Sequence, residues 1–141
     1  MKITSQREFD NHIKNGVFIC TDLMLEITCD IVTTADIKAG DINACNIKAH
    51  NINAYDINAD DIKAYDINAC NINAHDIEYY AVCFAYFNIT CASIVGGREN
   101  AKHFCLDGEI TIKSKTHTIK IDGKEIELSE ESYNNLRNSL K

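Results

Sequence analysis

The chain lacks several features that would place it in a common functional class. It has no apolar run of the roughly 18 residues that a membrane-spanning segment needs, and its first residues contain no apolar core of a secretory signal. Basic residues are scarce, since 14 Lys and Arg stand against 21 Asp and Glu and give a net charge of −7. Because nucleic-acid backbones are bound by clustered Lys and Arg, we expect no direct binding to DNA or RNA.

Motifs of catalytic and metal centres are also missing. There is no C-x-x-C pair, no glycine-rich phosphate loop and no nucleophile elbow. The seven cysteines are an odd number without a secretory signal, so we predict free thiols in a bacterial cytoplasm. His103, Cys105 and Asp107 lie close together in the sequence, but nothing supplies nucleophile, base and stabiliser as one group. We therefore predict a chain that is not an enzyme, without catalytic residues, metal or cofactor.

What the sequence does contain is an uninterrupted five-residue repeat between residues 35 and 79. Isoleucine occurs at every fifth position from Ile37 to Ile77, with Asp or Asn before it and, in all but the last unit, Ala two residues after it. A period of five fits neither an α-helix nor a flat strand, but it can form one short side of a coil. Ile and Ala face the same way on an extended segment and would pack inside, while Asp and Asn form the bends.

The pairs Asp36-Ile37 and Asp41-Ile42, with their successors, resemble the units of the pentapeptide-repeat proteins. The resemblance implies a right-handed, four-sided β-helix, although that family places its small residue before the large one. Four sides of five residues each make a turn of about 20 residues. We predict an all-β solenoid of about four coils over residues 17–97, with Val82, Phe87 and Ala92 continuing the inward series.

Both ends carry signals for capping elements. Residues 1–16 are predicted to form an N-terminal cap, with a helix over 5–15 that starts at the Ser5 capping box and stops at Gly16. In residues 98–141, Asp122-Gly123 predicts a β-hairpin, and a final helix follows with an apolar stripe of Tyr133, Leu136 and Leu140. This last segment either caps its own coil or forms a homodimer contact.

The acidic residues of the repeat suggest one function. With 20 residues per turn, Asp36, Asp56 and Asp76 would stack on one corner and Asp41 and Asp61 on the next, and Asp60 and Asp66 complete the predicted partner-binding acids. The resemblance implies a rod that mimics DNA and inhibits a basic, DNA-binding bacterial protein. We therefore expect an inhibitor of phage or mobile-element type, directed at a topoisomerase or a CRISPR effector. Alternatively, Asp serves only the bend, where Asn would do equally well.

A second reading belongs to a different class of function. The residues that follow each Ala face outward and include aromatic rings and imidazoles, which would make a protein-binding face on a structural or interaction scaffold. This alternative face comprises Tyr55, Tyr65, Tyr80, His50 and His75, together with the neighbouring Tyr79 and Tyr86. Under a 20-residue turn, His50 would stack with Cys70 and Tyr55 with His75. Binding through this face should survive high salt, whereas binding through the acids should not.

Overall fold

The computed structural model describes residues 1–113 and 116–139, and it confirms the predicted all-β solenoid. The first ten strands are β1 (Lys2–Ile3), β2 (Ile13–Lys14), β3 (Val17–Ile19), β4 (Met24–Ile27), β5 (Ile31–Val32), β6 (Asp36–Lys38), β7 (Asp41–Ala44), β8 (Ile47–Lys48), β9 (Asn51–Asn53) and β10 (Asp56–Ala59). The remaining strands are β11 (Asp61–Ala69), β12 (Asn71–Asn73), β13 (Asp76–Ala85), β14 (Ile89–Cys91), β15 (Ser93–Gly96), β16 (Lys102–Cys105), β17 (Ile110–Ile112), β18 (Thr116–Ile121) and β19 (Lys124–Ser129). The two helices are α1 (Gln6–Asn11) and α2 (Glu130–Ser139).

The coil has three sides, because neighbouring strands in the repeat are fifteen residues apart in the sequence. Ile57 pairs with Ile42 on the turn before and with Ile72 on the turn after, so one turn holds three five-residue units. The predicted four-sided turn of 20 residues is therefore wrong. The predicted count of four coils is also wrong, since the solenoid has about six. Its rungs run from Lys2 to Ile112, beyond the predicted span of 17–97 at both ends.

Each side is a column of parallel strands. The first side contains β1, β4, β7, β10, β12, β14 and β17. The second contains β5, β8, the N-terminal halves of β11 and β13, and β15. The third contains β3, β6, β9, the C-terminal halves of β11 and β13, and β16. We call the bends between these sides the 1–2, 2–3 and 3–1 corners.

The interior is filled as the repeat predicts. The nine isoleucines from Ile37 to Ile77 are at most 2% exposed, and most of the alanines two residues after them are also buried. The residue between Ile and Ala faces solvent in every unit. Ile stacks directly on Ile of the next turn, as Ile52 does on Ile67. Each turn therefore buries its isoleucines only by stacking on its neighbours.

The offset between turns changes after residue 79. Asp66 pairs with Val82, sixteen residues later, because one extra residue lies between the two halves of β13. Inward side chains downstream consequently follow a different phase, and the buried ones are Ala81, Cys83, Ala85, Ile89 and Cys91. The predicted continuation is wrong, since Phe87 is exposed and Val82 and Ala92 are only partly buried.

The N-terminal end of the solenoid is closed by α1. Phe9 on this helix stacks on Phe18 of β3 with ring centroids 4.2 Å apart, and both rings are fully buried. The Ser5 hydroxyl accepts a hydrogen bond from the Glu8 N–H, which confirms the predicted helix start. The Glu8 carboxylate accepts from the Thr4 N–H instead of from Ser5.

The predicted helix end at residue 15 is wrong, because α1 ends at Asn11 and a β-hairpin follows it. Asn15 and Gly16 adopt φ values of 52° and 76° and join β2 to the antiparallel β3. This is the Asn-Gly signal of a tight hairpin turn, which has positive φ at both central residues. The sequence interpretation read Gly16 only as a helix stop.

The C-terminal hairpin and helix are confirmed. Asp122 and Gly123 have positive φ at the turn between β18 and β19, and the Ser129 hydroxyl accepts from the Ser132 N–H at the start of α2. The imidazole of His117 stacks on the ring of Tyr133 at 3.9 Å. We call residues 116–139 the ββα unit. Leu140, the third member of the predicted apolar stripe, lies outside the described residues.

Neither α1 nor α2 could cross a bilayer. In the part of the chain that the structure describes, no helix combines the length and the apolar character that a membrane span requires.

Candidate functional site

Three outward rings stack along the 2–3 corner. Because a turn holds fifteen residues, His50, Tyr65 and Tyr80 occupy equivalent positions on three successive turns. The His50 and Tyr65 rings are 5.1 Å apart, and the Tyr65 and Tyr80 rings are 4.7 Å apart, both tilted by nearly 50°. Tyr65 and Tyr80 are 49% and 45% exposed. We call these three residues the aromatic column.

The first ring of the column is held by polar contacts. The Nδ1 atom of His50 lies 2.9 Å from Oδ1 of Asp36 and 3.3 Å from Nδ2 of Asn51. The backbone N–H of Tyr65 donates to the His50 carbonyl at 2.6 Å, which keeps the two turns in register. The column is therefore tied to the coil, and about half of each of its three side chains is exposed to solvent.

A shallow depression lies on the second side, next to the column. It has a volume of about 230 Å³, with Tyr65 and Tyr80 along one edge and Gly97 at the end nearest the last turn. Lys63 and Glu78 border it, with the Lys63 Nζ atom 3.6 Å from the Glu78 carboxylate. The depression offers apolar surface beside charged groups, which is the composition of a site for a side chain of a partner.

The other residues of the predicted aromatic face do not join this column. Tyr55 lies on the 3–1 corner, where the Cys70 N–H donates to its carbonyl, and His75 lies on the 1–2 corner. Tyr79 occupies an inward alanine position and is buried, so its predicted outward orientation is wrong. Tyr86 is exposed and packs edge-on against Phe87. The predicted stacks of His50 on Cys70 and of Tyr55 on His75 are also wrong.

The predicted acidic corners are dispersed by the fifteen-residue turn. The stacking of Asp36, Asp56 and Asp76 is wrong, because these residues lie on the 2–3, 3–1 and 1–2 corners respectively. Asp66 shares the 2–3 corner with Asp36, with Asn51 between them. Likewise, Asp41 and Asp61 do not share a corner, because Asp41 stacks with Asp56 on the 3–1 corner. Within residues 30–79, the 1–2 corner carries the largest group of acids: Asp30, Asp60, Asp61 and Asp76.

Most corner acids have a structural task. Asp56 Oδ1 accepts hydrogen bonds from the backbone N–H and the side-chain amide of Asn71, both at 3.1 Å. Asp66 Oδ1 likewise accepts from the Val82 N–H at 3.0 Å, one turn later. Asn46 accepts from the Asp61 N–H in the same way, so Asp and Asn are equivalent as acceptors. These bonds satisfy backbone amides at the corners, and the Asn71 N–H also approaches the Tyr55 carbonyl at 3.4 Å.

One group of side chains on the 1–2 corner could bind a cation. Single ligand atoms of Asp61, His75 and Asp76 lie within 4.8 Å of one another. His75 Nδ1 is 3.3 Å from an Asp76 carboxylate oxygen, and all three side chains are about half exposed. Both carboxylates already accept other hydrogen bonds, from the Asp76 N–H and the Ser93 hydroxyl. Both carboxylates are thus engaged within the corner, and exposed acidic groups of this kind are common without an ion.

His103 and Cys105 contact interior residues of the solenoid. His103 Nδ1 lies 2.7 Å from the Tyr79 hydroxyl, so this imidazole nitrogen is engaged with an interior side chain. Burial raises the pKa of the Cys105 thiol above its ordinary value, and that of Cys83 to about 12. Both thiols stay protonated near neutral pH, whereas a cysteine nucleophile acts as the thiolate. All seven cysteines are free thiols.

The sequence interpretation missed the column because it assumed the wrong turn length. The residues were identified, but their grouping depends on whether three or four units close a turn. The sequence did contain an indication of the turn length, because the ring-bearing residues His50, Tyr65 and Tyr80 are spaced by fifteen residues. Comparison with known proteins finds no family model, no curated protein and no solved structure that matches this chain.

Proposed function

We propose that this chain is a non-enzymatic binding protein that docks a protein partner on the aromatic column and the adjoining second side. The observation that carries this proposal is the stack of His50, Tyr65 and Tyr80 beside an apolar depression. Tyrosine supplies large contact area at low entropic cost, and it is enriched at protein interfaces. Rings fixed by stacking on a rigid coil lose little further freedom when a partner binds.

The charge around the column indicates what kind of partner fits. Asp61 and Asp76 border the second side at the 1–2 corner, opposite the column, and the chain as a whole carries −7. Arginine guanidinium groups stack on tyrosine faces and pair with carboxylates. We therefore propose a partner segment that carries Arg together with apolar side chains. A bacterial cytoplasm as the location belongs to the same proposal.

The second candidate function is that of an acidic rod that mimics DNA and inhibits a DNA-binding protein. It is favoured by the placement of charge, because residues 1–97 carry thirteen acids and six bases, which accounts for the whole net charge. The four acids of the 1–2 corner then form the edge that would face a basic DNA channel. In this version the target is a DNA-binding bacterial enzyme or defence complex, and the binding acids are those of one corner only.

Kinship with the pentapeptide-repeat proteins is also a proposal. The Asp/Asn-Ile pair and the stacked parallel coils support it. The three-sided section and the alanine two residues after Ile depart from the pattern that the resemblance implies. Inhibition of a topoisomerase or a CRISPR effector rests on that kinship and gains nothing from the geometry of the corners.

Panning a library of random peptides against the immobilised full chain tests the proposed face. We expect Arg-containing peptides, with Tyr65→Ala and Tyr80→Ala each weakening binding about tenfold, as at an interface hot spot. Tyr55→Ala is the matched control, because Tyr55 is also an outward tyrosine, 60% exposed, but lies on the 3–1 corner. Equal binding by all three variants would remove the aromatic column as the site.

Salt and charge variants separate the two candidates. The pair Asp61→Asn and Asp76→Asn removes two charges but keeps the oxygen acceptors at the corner. If the acids carry the binding, this variant loses most of its affinity, and the affinity of the wild type falls steeply between 0.05 and 0.5 M salt, on the order of tenfold or more. If the column carries it, this variant loses less affinity than Tyr65→Ala or Tyr80→Ala, and salt weakens only the share that the Arg–carboxylate pairs contribute.

A further inference from the structure

The two ends of the solenoid differ in how completely their interior is covered. At the N-terminal end, Ile3, Phe9 and Phe18 are fully buried under α1. At the C-terminal end, Ile94 of the last rung is only partly buried, although Ile77 directly beneath it is 1% exposed. Ile112 occupies the inward position that stacks on Cys91 of the preceding turn, and it is 51% exposed.

The last turn also has free strand edges. Among the described residues, β15, β16 and β17 each pair only with a strand of the preceding turn. Their outer N–H and C=O groups therefore face away from the solenoid without a strand partner. Large apolar side chains surround these edges, and we call the three strands with Phe104, Leu106 and Ile112 the open end. A sheet edge with exposed apolar residues favours association with another chain.

Within the described residues, the ββα unit leaves Phe104, Leu106 and Ile112 of the open end exposed. Its strands form a separate two-stranded sheet, and α2 packs on β18 and β19. No side chain described within the unit is buried, and Ile121, Ile126 and Leu136 are between 39% and 50% exposed. A single hairpin with one short helix is marginally stable by itself, so this unit needs further apolar surface to pack on.

Charge separates this end from the rest of the chain. Residues 98–141 contain eight acids and eight bases, whereas residues 1–97 carry the net charge of −7. Two copies that meet at their C-terminal ends therefore bring together neutral surfaces and keep the acidic parts of the two solenoids apart. Contact along the sides would instead oppose two acidic surfaces.

We propose that the open end is the interface of a homodimer, in which the ββα unit of each copy packs on the last turn of the other. The chain carries both incomplete surfaces, and a two-fold axis completes both at once. The dimer presents two aromatic columns, so a partner with two binding segments gains avidity. The interface itself stands on the open end and the neutral charge of this region, and it does not rest on the proposed binding face.

Sedimentation equilibrium of the full chain tests the dimer. We expect twice the 15.8 kDa mass of one chain at micromolar concentration, with little change in 1 M salt because the contact is apolar and neutral. Sedimentation at the mass of one chain up to about 100 μM would overturn the proposal.

Two variants locate the interface. Ile112→Asp places a charge at the open end and Leu136→Asp places one on α2, and each should weaken dimerisation at least tenfold. Ile19→Asp is the matched control, because Ile19 is an equally exposed strand residue at the other end of the solenoid. Circular dichroism shows whether each variant is folded. Dimers that persist in both folded variants would show that the contact lies elsewhere, and peptide binding to the column reports separately on the proposed function.

Discussion

The regular turns of residues 35–79 and the last turns of residues 80–113 follow the same path with different side chains. In the regular turns, every inward large position is Ile, and nearly every corner acceptor is Asp or Asn. In the last turns the equivalent inward positions include Cys83 and His103, and Val82 stands where Asp66 supplies a corner carboxylate. The parallel strands therefore continue the coil even where the side chains change, and the fully buried isoleucines lie mainly in its middle turns.

The largest expected difference between the two regions concerns the interior isoleucines. Ile62→Ala removes a side chain that is 1% exposed between two other isoleucines, and it should lower the free energy of unfolding by about 3 kcal/mol. Ile94→Ala in the last turn should cost only about 1 kcal/mol, because the Ile94 side chain is only partly buried. Urea unfolding followed by circular dichroism measures both. Equal losses would mean that the last turn is as well packed as the middle.

The second difference concerns the thiol that replaces isoleucine. Desolvation raises the pKa of Cys83 to about 12, whereas the thiol of the unfolded chain titrates near 9. Between these values the unfolded state has lost a proton that the folded state keeps. The contribution of this group to stability is therefore complete below about pH 9 and falls by about 1.4 kcal/mol per pH unit above it.

Cys83→Ala isolates that contribution. Other buried thiols, such as Cys91 and Cys105, also have a raised pKa, so the wild type loses stability from several groups at high pH. The difference in slope between the wild type and the variant belongs to Cys83. We expect the stability of the variant to decline less steeply from pH 9 to 10.5 in urea titrations. Parallel slopes would contradict a protonated Cys83 in the folded chain.

The third difference concerns the corner acceptors of the regular turns. Asp56→Ala removes the nearer acceptor of the Asn71 N–H and leaves only the Tyr55 carbonyl at 3.4 Å, so it should cost about 1 kcal/mol in the free energy of unfolding. Asp56→Asn keeps an acceptor and should be close to neutral. Asp60→Ala is the control, because Asp60 is exposed on a corner and no side-chain bond of it supports the next turn. A loss in Asp56→Asn as large as in Asp56→Ala would show that the charge itself matters.

Most of the local structure could be predicted from the sequence, because it depends on neighbours in the chain. The inward Ile and Ala, the outward middle residue, the hairpin at Asp122-Gly123 and the Ser5 helix start all follow from two- to four-residue patterns. The number of sides could not be predicted, since a five-residue unit with a bend permits three or four units per turn. That one choice decides which outward residues meet, and so the acidic corner was wrong and the aromatic column was missed. The extra residue near Ala81 interrupts the five-residue pattern, and the later inward positions therefore differ from those predicted.

The smallest expected effects lie on the outer surface of the regular turns, where function is proposed. Lys63→Gln removes an exposed ion pair with Glu78 at 3.6 Å, and such pairs contribute under about 0.5 kcal/mol. The free energy of unfolding should change by no more than that amount, while the affinity for a peptide at the adjoining depression changes. The reverse result, a loss of stability with unchanged binding, would show that the second side serves only the fold. Outward positions of a solenoid are free to specify a partner because the interior isoleucines already determine the coil.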